Sequence, residues 1–287
     1  MLKIAIRDDD LNYFTKVEEI EKAYKDIINR YPIGFAAIPF IHKSQLLMSK
    51  ITEEDRSKKM QKLYEIEKQM EIAELEKYYK KYYFFHKNKE LTEYINKRIR
   101  ANEIEIYLHG ITHRYYLSGA EFSKNEFVIE DELKIAKSYF ERIFKTKINL
   151  FVPPSNSICY KNIKKINKQG MKLIISGWPI SENIMEKVIL TLKKLKKIEI
   201  SFKLKKYIDE IEINKNKVII CGTFSPTDTV ETFLKRYNLT DKKDGNIIIS
   251  THYINHLNID CYNNFKKIIE YFENKGAKFY KISELYE

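Results

Sequence analysis

Seven short apolar runs constrain this chain more than any other feature: KIAI (3–6), GFAAIPF (34–40), IEIYL (104–108), INLFV (148–152), KLIIS (172–176), KVIIC (217–221) and NIIIS (246–250). Their branched, near-continuous apolar character suits strands buried on both faces. Between most of them lie helix-like stretches, such as KVEEIEKAYKDIINRY (16–31) and EDELKIAKSYFERIFK (130–145). Strand–helix alternation argues for a parallel sheet, and seven or eight such units argue for a barrel. The expected fold class is therefore α/β, a distorted (β/α) barrel of about seven parallel strands. A length of 287 residues suits one such domain over residues 1–287. The rhythm breaks between about Ser44 and Ala101, where charged residues alternate with apolar ones at helical spacing and no Pro or Gly linker marks either end. That region reads as a helical insertion at the barrel rim.

Composition narrows the function classes. The net charge of +12 attracts phosphates, anionic glycans or anionic lipid heads. The lysines are scattered, however, and no nucleic-acid-binding motif accompanies them, so nucleic acid is not an expected partner. The densest basic run, LKKLKKIEISFKLKKY (192–207), reads as a solvated helix face followed by a strand, with a peripheral membrane contact or an anionic-substrate patch as the other reading. Three widely spaced cysteines, Cys159, Cys221 and Cys261, form neither a disulfide framework nor a zinc-finger spacing. The first residues contain no secretory apolar segment, and the expected location is the cytoplasm.

Polar residues fall where the strands end. The first run passes into Arg7-Asp8-Asp9-Asp10, the third into His109, the fourth into Pro153-Pro154-Ser155-Asn156, the fifth into Gly177-Trp178-Pro179 and the last into Thr251-His252. In a parallel barrel these C-terminal strand ends share one face, where active sites sit. In isolation an Asp triplet after a strand is more often a helix cap with solvated carboxylates. Three adjacent carboxylates at a buried strand end repel one another unless Arg7 or a cation compensates them. His109 and His113 stand four residues apart with Gly110 after the first, which permits a sharp turn that brings the second imidazole beside the first. One carboxylate and two imidazoles suit a borderline divalent metal, zinc first, with positions left for water. His252 is a candidate general acid, since an imidazole side chain can carry a proton to a leaving group. His256 reads as structural, His42 as a possible neighbour of the cleft, and His86 as solvated.

These residues together resemble the polysaccharide deacetylase family (carbohydrate esterase family 4, NodB-like). IRDDDL resembles its Thr-Phe-Asp-Asp-Gly strand end, HGITH its His-Ser/Thr-x-x-His pair, FVPPSN its Arg-x-Pro segment and IISTH its late Leu-x-His. The resemblance implies a metal-dependent hydrolase that removes an N-acetyl group from an amino sugar or glycan precursor; the expected cytoplasmic location and the basic surface suit a precursor linked to a lipid or nucleotide. The resemblance also implies Asp9 as catalytic base, Asp10, His109 and His113 as metal ligands, and His252 as catalytic acid. A shift of one residue would make Asp8 the base and Asp9 the ligand. Arg7, Asp8, Pro153 and Trp178 are expected to support the site or touch substrate, Trp178 as an apolar floor for the acetyl methyl. Two departures mark a divergent subgroup. Phe151 stands where the family has the Arg that holds the catalytic Asp, leaving Arg7 to take that role. No acid near SGWPI matches the Asp that orients the catalytic His. An O-acetyl esterase or other amidohydrolase on the same metal, and a non-catalytic glycan-binding barrel, remain the alternatives; the oligomeric state is open.

Overall fold

The computed structural model describes residues 1–51, 58–71, 73–74, 81–116, 119–181, 183–204, 207, 209–213, 215–240 and 242–286. All seven apolar runs become strands: β1 (Leu2–Leu11), β2 (Ile33–Ala37), β3 (Ile104–His109), β4 (Leu150–Val152), β5 (Lys172–Ile175), β6 (Asn216–Ile220) and β7 (Gly245–Thr251). Helices follow them in turn: α1 (Val17–Tyr24), α2 (Lys89–Arg100), α3 (Glu130–Phe144), α4 (Tyr160–Lys168), α5 (Ile184–Leu204), α6 (Val230–Arg236) and α7 (Ile259–Asn274). The sheet runs β6-β5-β4-β3-β2-β1-β7, and every one of these neighbouring pairs is parallel.

The two ends of that sheet meet through one stretch of backbone. Val218–Ile220 pairs with β5, and the Cys221 amide donates to the Ile175 carbonyl at 2.9 Å. Two residues on, Gly222 and Thr223 pair in parallel with Ile249 and Ser250 of β7. Residues 216–223 therefore bend across from one edge of the sheet to the other and complete a ring of seven strands.

Alternation of side chains then sorts the core into two layers. Ala5, Ala36, Tyr107, Leu150, Val152, Ile174, Ile219, Cys221 and Ile248 form a cluster inside the ring, with Ile282 from the C-terminal helix Ile282–Tyr286 closing its base. The intervening residues, such as Ile4, Ile6, Phe35, Leu108 and Ile249, join a larger outer cluster beneath the helices. By the same period of two, Arg7 and Asp9 share the inner face with Ala5, His109 shares it with Tyr107, and His252 continues it beyond Ile248 and Ser250.

Two expectations change. The region expected as a helical insertion, 44–101, is not one unit. Phe40–His42 pairs antiparallel with Tyr82–Phe84, and a helix at Lys59–Gln69 stands between them. Residues 52–57, 72 and 75–80 of that expectation lie outside the described residues. Its last part, α2, is an ordinary barrel helix: Leu91 and Ile95, one turn apart, are fully buried, and Asn88 caps it by accepting the Leu91 amide at 3.1 Å. Among its described residues the basic run likewise contains no strand, because α5 continues unbroken to Leu204. The period-two pattern of IEISFKL is outweighed by upstream Leu, Lys and Glu, good helix formers, and no Gly or Pro stops the helix.

Ile248 is fully buried in the ring interior. Ile248→Ala is expected to lower unfolding free energy by about 2–5 kcal/mol, measured by urea denaturation.

Candidate metal centre and cleft

The site begins with a bulge. β1 pairs in register with β2 through Asp8↔Phe35 but resumes at Leu11↔Ala37, three residues on one strand against two on the other. The extra residue is Asp10, held at φ 73°. Strict alternation would have turned Asp10 to the outer face with Asp8. The bulge instead lets Asp9 and Asp10 both line the cleft at the strand ends.

Each of the three adjacent carboxylates has its own compensation. Asp8 is fully buried under α1, where the Tyr24 hydroxyl donates to it. Burial pushes its carboxyl well above the usual carboxylate range, against the effect of that hydrogen bond. Asp9 accepts from Arg7 Nη2 at 2.6 Å inside the ring. Its other oxygen, Oδ1, is buried with no hydrogen-bond partner among the described residues. Asp10 faces two imidazoles, His109 Nε2 at 3.0 Å and His113 Nε2 at 3.1 Å, both from Oδ1. Its other oxygen lies 3.5 Å from His252 Nε2.

The loop carrying the histidines is built around Gly110 and Glu121. Gly110 turns at φ 65°, and a Cβ there would stand 2.4 Å from Pro154 Cγ and 2.5 Å from Glu121 Oε2. His113 itself adopts φ 54°, unusual for a residue with a side chain. Such a loop leaves its amides without backbone partners. The buried Glu121 carboxylate supplies them, accepting from the amides of Ile111 (3.0 Å), Thr112 (2.9 Å) and His113 (3.2 Å), and from the Thr112 hydroxyl (2.6 Å). Gln45 also donates to the His113 carbonyl. Glu121 is a positioning residue that sequence reading missed. One acid among many, it carried no signal beyond its place in the small and apolar stretch SGAEFS.

Asp10, His109 and His113 each bring one ligand atom to a common point, all within 4.8 Å of one another. His109 Nδ1 lies 3.0 Å from the Val152 carbonyl, which can only accept, so this nitrogen carries the proton. In the neutral ring Nε2 then presents a lone pair to the Asp10 carboxylate. Only a cation or a second proton relieves that opposition, so the donor set fits a divalent ion. Without metal, protons serve instead. Burial opposes charge on His109, but the hydrogen bond and charge of Asp10 outweigh it and raise the imidazole. His113 is likewise raised, burial being overcome by Tyr115 and Asp10. Burial alone would raise Asp10, yet His113 and His109 hold its carboxyl well below the usual range.

The cleft around this centre has a volume of about 600 Å³, the size of a small-molecule site. His252 stands at its edge, 30% exposed. Ser155 and Asn156, both at positive φ, form part of the wall, and Ser155 Oγ lies 2.6 Å from the Tyr115 hydroxyl. Phe224, Pro226 and Ile254 supply its apolar surface. Asp228 holds that loop by accepting from the Ser225 amide at 2.7 Å and from Arg236.

Several expected neighbours lie elsewhere. Asp8 points under α1 and does not line the cleft, so the alternative register of the Asp motif has no support in the geometry. Pro153 is buried behind the wall, and its carbonyl accepts the Asn156 amide. Trp178 packs half-buried against the outer core, so the apolar wall comes from Phe224, Pro226 and Ile254 instead. Phe151 likewise points into the outer core, against Phe122. His42 is buried against Ser44, its imidazole lowered to about 4 by burial and then by Arg114, and it does not line the cleft. His86 is half-buried, 2.7 Å from the Tyr139 hydroxyl, rather than solvated. His256 is structural: it bonds Thr251 at 2.7 Å, packs against Phe265, and is lowered to about 3 by burial and then by His252.

Comparison with known proteins points the same way as the motifs. The polysaccharide deacetylase family model matches residues 71–174, a segment that contains His109 and His113 but neither the Asp cluster nor His252. The match spans about a third of the chain and is a similarity over that segment. No curated protein matches the chain. Solved structures similar to it include a family 4 acetyl xylan esterase from Clostridium thermocellum in complex with a cobalt ion (11% identity, 100% of this chain and 90% of that one, TM-score 0.49). Another is the CE4 domain of a multidomain xylanase from the hindgut metagenome of Trinervitermes trinervoides (14% identity, 99% and 89%, TM-score 0.48). A third is a CE4-family pseudoenzyme from Bacillus anthracis (13% identity, 98% and 65%, TM-score 0.46).

Two outcomes are expected. Glu121→Ala should weaken zinc affinity about 10- to 100-fold with the fold retained, measured by competition with a chelating dye. Because metal must displace the protons held by the raised imidazoles, affinity should fall as pH drops through a window that opens above the ordinary imidazole value of 6.5. Titrations at successive pH values would show no such fall if the two imidazoles were not ligands.

Proposed function

We propose that this protein is a metal-dependent hydrolase that removes an N-acetyl group from an amino sugar or glycan precursor. The observation that carries the proposal is the meeting, in one cleft, of an Asp-His-His donor set, a second carboxylate with an unpartnered oxygen, and a third imidazole at the rim.

Each group has a distinct task. A divalent ion, zinc by the preference of the donors, would supply a Lewis acid that lowers the pKa of water and polarises the acyl carbonyl. Asp9 is the general base. Arg7 orients its carboxylate through Oδ2, leaving Oδ1 to take the proton from the attacking water. Arg7 therefore replaces, from the first strand, the guanidinium that the family carries at the position of Phe151. His252 gives a proton to the departing sugar amine, which is a poor leaving group as an amide anion. Phe224, Pro226 and Ile254 offer an apolar surface to the acetyl methyl.

A second groove supports a glycan rather than a small amide as substrate. It has a volume of about 570 Å³ and lies across the His109–His113 loop, sharing Ile111, Thr112 and Glu121 with it. Tyr82, Phe84 and Phe127 line the groove, Phe127 stacked on Tyr116, beside Glu126 and Glu132. Such surfaces stack on sugar rings while carboxylates accept from their hydroxyls. The substrate we envisage is a cytoplasmic precursor of a surface polysaccharide, linked to a lipid or nucleotide carrier.

Acetate release from matched N-acetyl and O-acetyl sugars by the zinc-loaded protein tests this reading. Preference for the amide is expected, with Asp9→Asn and His252→Ala each lowering kcat by about 10²–10⁴-fold. Release from the ester alone would make the protein an esterase. Glycan binding without release from either would make it a non-catalytic glycan-binding barrel.

A further inference from the structure

The helix α5 is amphipathic in the reverse of the usual sense. At about 100° per residue, Glu186, Leu190, Lys193, Lys197 and Ile200 share one side, and they are the residues turned toward the protein. Leu190 is buried, and Lys197 lies over the Tyr207 ring at 5.5 Å. The opposite side, facing solvent, carries Ile184, Met185, Val188, Leu192, Leu195 and Ile198, each 49–80% exposed. An apolar stripe along a 21-residue helix is more than the scattered exposure of an ordinary surface. Exposed lysines border it on both sides, Lys187 and Lys194 on one and Lys196 and Lys203 on the other. The acid within this surface, Glu199, is engaged by Lys203 at 2.8 Å.

We propose that this face of α5 lies on an anionic lipid surface, with the apolar stripe entering the headgroup–acyl boundary and the bordering lysines meeting lipid phosphates. Charge selects this occupant over a second copy of the chain. A symmetric dimer through the stripe would bring the same lysines together between two molecules of net charge +12. Lysine borders around an apolar stripe are instead the arrangement of helices that lie in a membrane interface. No helix among the described residues is long and apolar enough to cross a membrane, so α5 lies along the surface rather than through it. The inference is independent of the reaction proposed for the cleft.

Cosedimentation of the full chain with vesicles tests it. Wild type is expected to pellet with phosphatidylglycerol-containing vesicles and not with pure phosphatidylcholine, and to be released as salt screens the lysines. Val188→Glu with Leu195→Glu alters exposed positions only and should reduce binding at least about tenfold, with circular dichroism and zinc content unchanged. Each of Lys187→Gln, Lys194→Gln and Lys196→Gln should weaken it about fivefold. Wild type that ignores anionic vesicles, or a double variant that binds them as well as wild type, would overturn the proposal. So would a concentration-dependent dimer, without vesicle binding, that the double variant dissociates.

Discussion

Arg7 occupies the interior of the strand ring, fully buried, and the placement of the cleft depends on how its charge is satisfied. Taking a guanidinium out of water costs several kcal/mol, offset only where geometry and partners are good. Here Nη2 reaches Asp9 at 2.6 Å and Asn156 at 2.9 Å, while Nη1 lies 3.1 Å from Cys221 Sγ. Those partners belong to the end of β1, the turn after β4, and the residue where the chain crosses from β6 to β7. One cation thus ties together the three places where the ring's upper rim is least regular. Asn156 extends the link to β5 by accepting the Ser176 amide at 3.3 Å.

That arrangement explains how three consecutive aspartates coexist. A ladder alone would have put Asp8 and Asp10 on one face and Asp9 on the other. The bulge at Asp10 breaks the alternation, so that Asp8 goes under α1 to Tyr24, Asp9 to Arg7, and Asp10 to the imidazoles. Their like charges are separated by environment rather than by distance. The positive φ at Asp10 and His113 is backbone strain of about 1–3 kcal/mol each, held at the two positions that bring the donor set together.

Much of this was legible in the chain itself. Seven unalternated apolar runs showed buried parallel strands, and the polar residues just past them showed which residues share a rim. Spacing and the glycine at 110 showed that His109 and His113 can meet. Glu121 was not legible, because a carboxylate that accepts backbone amides leaves no pattern in sequence. Trp178 misled for a related reason. Its place after β5 suggested the cleft, but a strand end fixes where a residue starts, and packing decides which way its ring turns. The basic run from Leu192 misled through its mixed period, which fits strand and helix alike until helix propagation decides.

The sequence by itself determined the layer order, the seven strands and the residues available for chemistry, since these follow from local periodicity and from polar residues at strand ends. Tertiary structure alone decided which aspartate faces the imidazoles, that Glu121 gathers the amides of the histidine loop, and that the apolar side of α5 faces outward. Each of these turns on register, on a one-residue bulge or on what lies opposite a helix face. Such relations between distant segments are set by packing and by the cost of burying charge, and local sequence does not carry them.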